Sequence, residues 1–202
     1  MRGYKAIGID KATGEPIFED LDGEEGINEA DMQMVGSGIP DYTFGLTINL
    51  AYKNWDLTVF GTGVAGNVIF PSSWRTDRPH CNTYSWYWQN SWRKDGSNPN
   101  PKFPGTQYWN QDTFSSTLNL FDGSYFKIKQ IQLGYNLPSS LLKKASISSL
   151  RLFTSLENFF CFSKYPGLDP ETASSGSASS NGIDMGSFPT AKQFILGLNL
   201  SF

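Results

Sequence analysis

The last nine residues of the chain constrain its fold most. Phe194, Leu196, Leu198, Leu200 and Phe202 fall on one side of an extended strand, and Ile195, Gly197, Asn199 and Ser201 on the other. Successive side chains of a strand point to opposite faces, so one face is strongly apolar and the other small or polar. Five large apolar residues in register are more than the half-buried strand of a water-soluble sheet ordinarily carries. The pattern recurs upstream. Leu46, Ile48, Leu50 and Tyr52 alternate with Thr47, Asn49 and Ala51. Leu57 and Val59 open a second run that continues through the glycine-rich stretch 61–66. Ile131, Leu133, Tyr135 and Leu137 alternate with Gln132, Gly134 and Asn136, and Leu150, Leu152, Thr154 and Leu156 with Arg151, Phe153, Ser155 and Glu157. Polar faces that carry Gln132, Asn136, Arg151 and Glu157 suit a water-filled lumen. Near Lys129 the phase slips, because Phe126 and Ile128 are out of step with Ile131 and Leu133; a bulge would account for it.

The connections strengthen this reading. A short turn follows Tyr52 and a modest connection follows Leu137, whereas the stretches from Gly66 to Tyr125 and from Asn158 to Ala191 are long. Membrane β-barrels alternate short periplasmic turns with long outer loops. A structureless loop near sixty residues is hard to place in a compact soluble domain. The expected fold is therefore all-β: about five antiparallel strands, near 42–52, 55–66, 124–137, 148–158 and 191–202, belonging to a large transmembrane β-barrel with long extracellular loops. Five strands cannot close a wide barrel, and lipid does not tolerate an open sheet edge, so residues 1–202 are expected to be a segment of a larger barrel.

Composition narrows the function classes. The net charge is only −3, which argues against nucleic acid as a partner, while aromatic residues reach 15% against 17% charged. No run approaches the length of a membrane helix, and the start of the chain lacks the apolar core of an export signal. Cys81 and Cys161 lie in no metal-binding spacing, and whether they pair is open. His80 is the only histidine, so no catalytic triad can be built on it. Asp169 and Glu171 form a carboxylate pair of the kind glycosidases use, set against the structural turn role that the family resemblance described below implies for them. The glycines of 61–66 are followed by no lysine and open no helix, so they read as strand rather than phosphate cradle. No enzymatic activity is expected.

Two segments are candidate binding sites. Asp20, Asp22, Glu24 and Asp31 approach the spacing of a calcium loop, although Glu25 stands where that loop needs glycine and Asp31 where it ends in glutamate. The alternative is a solvated acidic turn; apart from calcium here, the sequence suggests no cofactor. Tyr84, Trp86, Tyr87, Trp88 and Trp92, with Tyr108 and Trp109 further on, offer flat faces to a ligand or a protein partner. Alternatively, these rings pack the loop itself or sit in an aromatic belt at the membrane edge.

Several segments, in order, resemble one family. Gly123-Ser-Tyr-Phe-Lys-Ile-Lys-Gln-Ile-Gln-Leu-Gly-Tyr-Asn-Leu-Pro138, the run from Leu150 through Tyr165-Pro-Gly-Leu-Asp-Pro-Glu171, and the ending from Phe188-Pro-Thr to Gly197-Leu-Asn-Leu-Ser-Phe202 are similar to the C-terminal part of SusC/RagA proteins. Asp20-Leu-Asp-Gly, Gly26-Ile-Asn, Val35 to Tyr42 and Phe44 to Asp56 extend the resemblance upstream. The resemblance implies a TonB-dependent importer of oligosaccharides or peptides in the outer membrane of Bacteroidetes-type bacteria. A SusD-like surface lipoprotein would cap it, and TonB would act through an N-terminal plug that is absent here, as is the signal peptide. The strand of Phe194, Leu196, Leu198, Leu200 and Phe202 resembles the terminal signal that outer-membrane barrels present to the assembly machinery. The alternatives are a soluble β-sandwich that binds glycan and a non-functional barrel remnant.

Overall fold

Alternation at this density does produce long strands. The computed structural model describes residues 1–75, 77, 82–142, 147–174 and 180–202. Its main element is a five-stranded antiparallel sheet of β1 (Tyr42–Tyr52), β2 (Trp55–Ala65), β3 (Tyr125–Asn136), β4 (Ser149–Ser163) and β5 (Gln193–Ser201). Each strand pairs only with its neighbours in sequence, giving an up-and-down meander.

The register lines up the apolar residues of all five strands. Tyr52, Trp55, Tyr135, Leu152 and Leu198 form one row across the sheet. Leu50, Leu57, Leu133, Thr154 and Leu196 form the next, and Ile48, Val59, Ile131, Leu156 and Phe194 a third. A water-soluble sandwich would cover such a face with a second sheet. Here Phe44, Leu50, Leu133, Leu152, Leu196 and Leu198 are all exposed.

The phase slip at Lys129 is a bulge. Gln130 pairs with Phe60 and Ile128 with Gly61, leaving Lys129 extra between them. The inserted residue returns Phe126 and Ile128 to the apolar face. They continue the rows as Leu46–Gly61–Ile128–Phe160 and Phe44–Gly63–Phe126–Phe162. Gly61 and Gly63 are small for a reason. A Cβ on Gly61 would lie 2.7 Å from the Phe126 ring, and one on Gly63 2.5 Å from Phe44. The two rings stack over the glycine surface with centroids 6.0 Å apart. Opposite the bulge, β4 passes through Asn158 in the left-handed region (φ 59°) and runs on to Ser163, five residues beyond the expected end.

Two connections are short. Lys53 and Asn54 join β1 to β2, with Lys53 taking the positive φ (53°) that tight hairpins need. A turn containing the helix Ser139–Leu142 follows β3. The described residues of the other three segments, 1–41, 66–124 and 164–192, gather at the opposite end of the sheet. They are not structureless, as their length suggested. Arg2–Gly3 pairs with Gln33–Met34, and Val68–Pro71 lies between Ile183–Asp184 and Phe121–Asp122. Backbone bonds cross between the segments, from Tyr4 N–H to Ser115 (3.0 Å), Gly105 N–H to Gly14 (2.9 Å) and Phe70 N–H to Gly182 (2.7 Å). Their buried side chains form a core of Trp74, Tyr87, Phe103 and Trp109, and a second of Ile69, Tyr165 and Ala173, with Phe121 packed against both.

Candidate functional site

The face opposite the apolar rows is polar, as a lumen wall requires. Asp56 and Arg151 pair across β3, with Arg151 Nε donating to Asp56 Oδ1 at 3.1 Å. They meet over Gly134, where an added Cβ would lie 2.4 Å from the guanidinium and 2.6 Å from the carboxylate. Thr58 donates to Asn49 (2.9 Å), and Gln130 to Gln132 (3.2 Å).

Higher on the same wall, Lys127 is only 2% exposed. Its Nζ donates to Asp169 Oδ2 (2.7 Å), to Glu171 Oε2 (3.0 Å) and to Thr190 Oγ1. The bulge places Lys129 on this side too, where it pairs with Glu171. Asp169 also accepts from the backbone N–H of Thr190 (3.0 Å) and of Glu171 (3.1 Å). Burial alone would raise the Asp169 pKa, but the hydrogen bonds from Lys127 and Thr190 outweigh it and hold the carboxyl below its usual range. Tyr165 donates to Asp184 Oδ2 (2.5 Å), and burial pushes its phenol upward. The Tyr165–Glu171 turn is thus clamped to the wall by its carboxylates. Both oxygens of Asp169 are engaged, which suits an anchor rather than an acid–base pair.

The acidic loop closes partly as its spacing suggests. One oxygen each of Asp20, Asp22 and Asp31 lies within 4.8 Å of the others, while Glu24 is outside the group. Asp31 is 0% exposed; it accepts from the backbone N–H of Leu21 (2.7 Å) and of Asn28 (3.0 Å). Asn28 accepts in turn from Ala30 N–H (2.7 Å), a capping box at the 3-10 turn Glu29–Asp31. Asp20 accepts from Gly23 N–H (2.7 Å). Asp22 accepts from Asn28 Nδ2 (2.9 Å), which lowers its pKa.

The aromatic candidates separate by burial. Tyr87 is 0% exposed, stacked on Phe103 at 3.9 Å, and Trp109 is 4% exposed beside it. These two rings therefore build the loop core. Tyr87 packs against Trp74 and Phe103, and Trp109 against Tyr87, contacts that no local sequence pattern marks. Trp86 is partly buried, edge-on to Trp74 and Phe103. Trp92 donates from Nε1 to Lys11 (2.8 Å) and covers Gly14, whose φ of 80° excludes a bulkier residue. Tyr108 is half-buried, whereas Tyr84 and Trp88 stay exposed. Trp88, on the helix Ser85–Asn90, borders two clefts of about 490 and 350 Å³. Phe194, Leu196, Leu198 and Leu200 stand exposed on the apolar face of β5, with Phe202 just beyond it. His80 and Cys81 lie outside the described residues; Cys161 is an exposed free thiol. The lysine–carboxylate clamp was missed in the sequence, though Lys127 and Lys129 in an otherwise neutral strand are its signal.

No protein-family model matches the chain. Among curated proteins, TonB-dependent receptor P3 of Formosa agariphila is 32% identical over 206 residues, covering 99% of this chain and 20% of the relative. TonB-dependent receptor SusC of Bacteroides thetaiotaomicron is 27% identical over 195 residues, covering 94% of this chain and 18% of the relative. The RagAB peptide importer superposes over 100% of this chain, and 23% of its own, in the closed-closed state, with a TM-score of 0.79 at 22% identity. In the open-open state the TM-score is again 0.79, at 20% identity, covering 100% of this chain and 22% of the other. Over nearly its whole length the chain is thus similar to TonB-dependent receptors, SusC among them, and shares the fold of the matching part of RagAB. It spans about one-fifth of the length of the curated relatives it matches. The SusC/RagA likeness includes the outer segments as well as the five strands, because both comparisons cover essentially the whole chain.

Proposed function

We propose that residues 1–202 form the C-terminal segment of an outer-membrane importer of the SusC/RagA type. The observation that carries this is the sheet itself: rows of largely apolar side chains run across its strands on one face, and the reverse face is mostly polar and carries an ion pair. Lipid faces the first and a water-filled passage the second. The short turns then lie in the periplasm and the knitted segments outside the cell. The remaining strands, the plug and the TonB contact come from the rest of the protein. Oligosaccharides or peptides are the cargo, a SusD-like lipoprotein is the outer partner, and β5 addresses the barrel-assembly machinery. The role is transport, with no catalytic step.

The test uses the full-length protein in its own host. It is expected in the outer-membrane fraction, with heat-modifiable migration on gels and TonB-dependent uptake. Removal of residues 193–202 should abolish both membrane insertion and heat-modifiable migration. Recovery of the full-length protein as a soluble periplasmic monomer would refute the proposal.

Convergence of Asp20, Asp22 and Asp31 favours one addition, a calcium ion that tightens the outer loop. Calcium should raise the melting temperature of the full-length protein, and Asp20→Asn with Asp22→Asn should remove that rise. An unchanged melting temperature would rule the ion out.

A further inference from the structure

We infer that the Tyr165–Glu171 turn is a ledge fixed inside the outer mouth of the passage, and that its Glu171–Lys129 pair is the edge past which cargo moves; this deepens the importer reading and rests on it. The strand register decides the side. Lys127 pairs with Thr62 and Cys161, one step from the apolar row of Gly61, Ile128 and Phe160, so its side chain stands on the opposite, lumen face. A wall that bordered only water would leave such a lysine exposed. Lys127 is instead 2% exposed, because Asp169, Glu171 and Thr190 lie on it. The covering turn is therefore inside the barrel and not above it. The outer end of β3 is Tyr125, so Lys127 and Lys129 stand two and four residues below the rim. The turn thus reaches roughly 7 to 13 Å down the wall, at about 3.4 Å per residue.

Both limbs of the 164–192 segment brace the ledge. Asp169 Oδ2 accepts from Lys127 Nζ at 2.7 Å and, on the returning limb, from the Thr190 N–H at 3.0 Å and its hydroxyl at 2.8 Å. Lifting the turn would strand the buried lysine without a counter-charge, which holds the ledge in place. Glu171 bridges the two lysines, and its side chain and that of Lys129 keep 25% and 24% exposure. This pair is the wet edge of the ledge. Beside it a cleft of about 260 Å³ opens between Glu171, the wall residues Val64 and Tyr125, and Gly38 and Pro40 of the first segment. Val64 and Tyr125 pair on the lumen face too, two residues above Thr62 and Lys127. A ledge that projects from this wall narrows the passage and limits the size of what slides along it.

The test uses the full-length importer in intact cells, with Cys161 as a native reporter, since it is an exposed thiol on the lumen row of Lys127. The probes are two membrane-impermeant maleimides, one small and sulfonated, the other carried on a long polyethylene glycol. Each rate is divided by that on the heat-denatured protein, and Cys161→Ser supplies the blank. The small maleimide is expected to label Cys161 at least tenfold faster than the large one. Glu171→Ala should speed the large maleimide at least about threefold and leave the small one nearly unchanged, with a lesser effect for Glu171→Gln. Lys129→Met, which spares the Lys127–Asp169 contact, carries the same expectation should Glu171→Ala fail to insert, as judged by heat-modifiable migration. The inference is overturned if both maleimides label the wild type alike, if neither labels it, or if the inserted variants leave the ratio of rates unchanged. Phe162→Cys in the Cys161→Ser background keeps the two ideas apart. Phe162 lies on the apolar face, so a thiol there should escape both reagents. Labelling at that position with Cys161 silent refutes the importer's assignment of faces. A silent Phe162→Cys beside equal labelling of Cys161 refutes the ledge alone.

Discussion

At Lys127 a cationic side chain is almost wholly removed from water, and two carboxylates and a hydroxyl from one distant segment replace its hydration. Removing one partner of a buried pair leaves the other charge stranded, at a cost of about 3–5 kcal/mol. Asp169→Asn is therefore expected to destabilise the 164–192 segment by that order, read as faster limited proteolysis there in the full-length protein. Adding Lys127→Met should recover much of the loss. The pH dependence follows from the direction of the Asp169 shift. A carboxyl whose folded pKa is depressed contributes its full stability above the ordinary carboxylate range and loses it as pH falls through the folded value. Protease resistance of the segment should thus hold through neutral pH and weaken only in acid below that range, with Asp169→Asn flat across the same interval.

Among the elements, β3 carries the most information. Its bulge serves both faces, keeping Phe126 and Ile128 with the apolar rows and bringing Lys127 and Lys129 together onto Glu171. A one-residue slip in a strand exchanges its faces. Deletion of Lys129 should therefore turn Phe126 and Ile128 toward the lumen and abolish assembly, seen as loss of heat-modifiable migration. A face-specific substitution tests the same geometry more gently. Leu133→Arg at membrane depth is expected to cost about 2–4 kcal/mol of barrel stability, while Gln132→Arg on the lumen face should cost little, both measured by unfolding in lipid. The strands and the bulge were legible in the sequence because period two and its interruption are local signals. The continuation of β4 past Asn158 was not, since its pairing with β3 resumes only at Phe160. Nor was the clamp, whose partners stand more than forty residues apart.

Among the described residues, the two buried hydrophobic clusters lie outside the five-stranded sheet, in the segments that length alone marked as loops. Four aromatic rings, Trp74, Tyr87, Phe103 and Trp109, come from widely separated positions. Composition announced the aromatics but could not say which would turn inward. Trp74→Ala should cost about 3–5 kcal/mol of local stability, as a large buried ring does, and open the 66–124 segment to protease while leaving the five strands inserted. Equal loss of membrane insertion would show instead that strands and outer segments fold as one unit.

Backbone bonds that join Tyr4 to Ser115, Gly14 to Gly105 and Phe70 to Gly182 tie each outer segment to another. A segment held on both sides has little room to lengthen or shorten by itself. Variation in such a surface is expected at exposed side chains such as Trp88, with insertions confined to stretches that make no cross-segment bond. Relatives handling different cargo should share the spacing of the tied positions and differ at the rim.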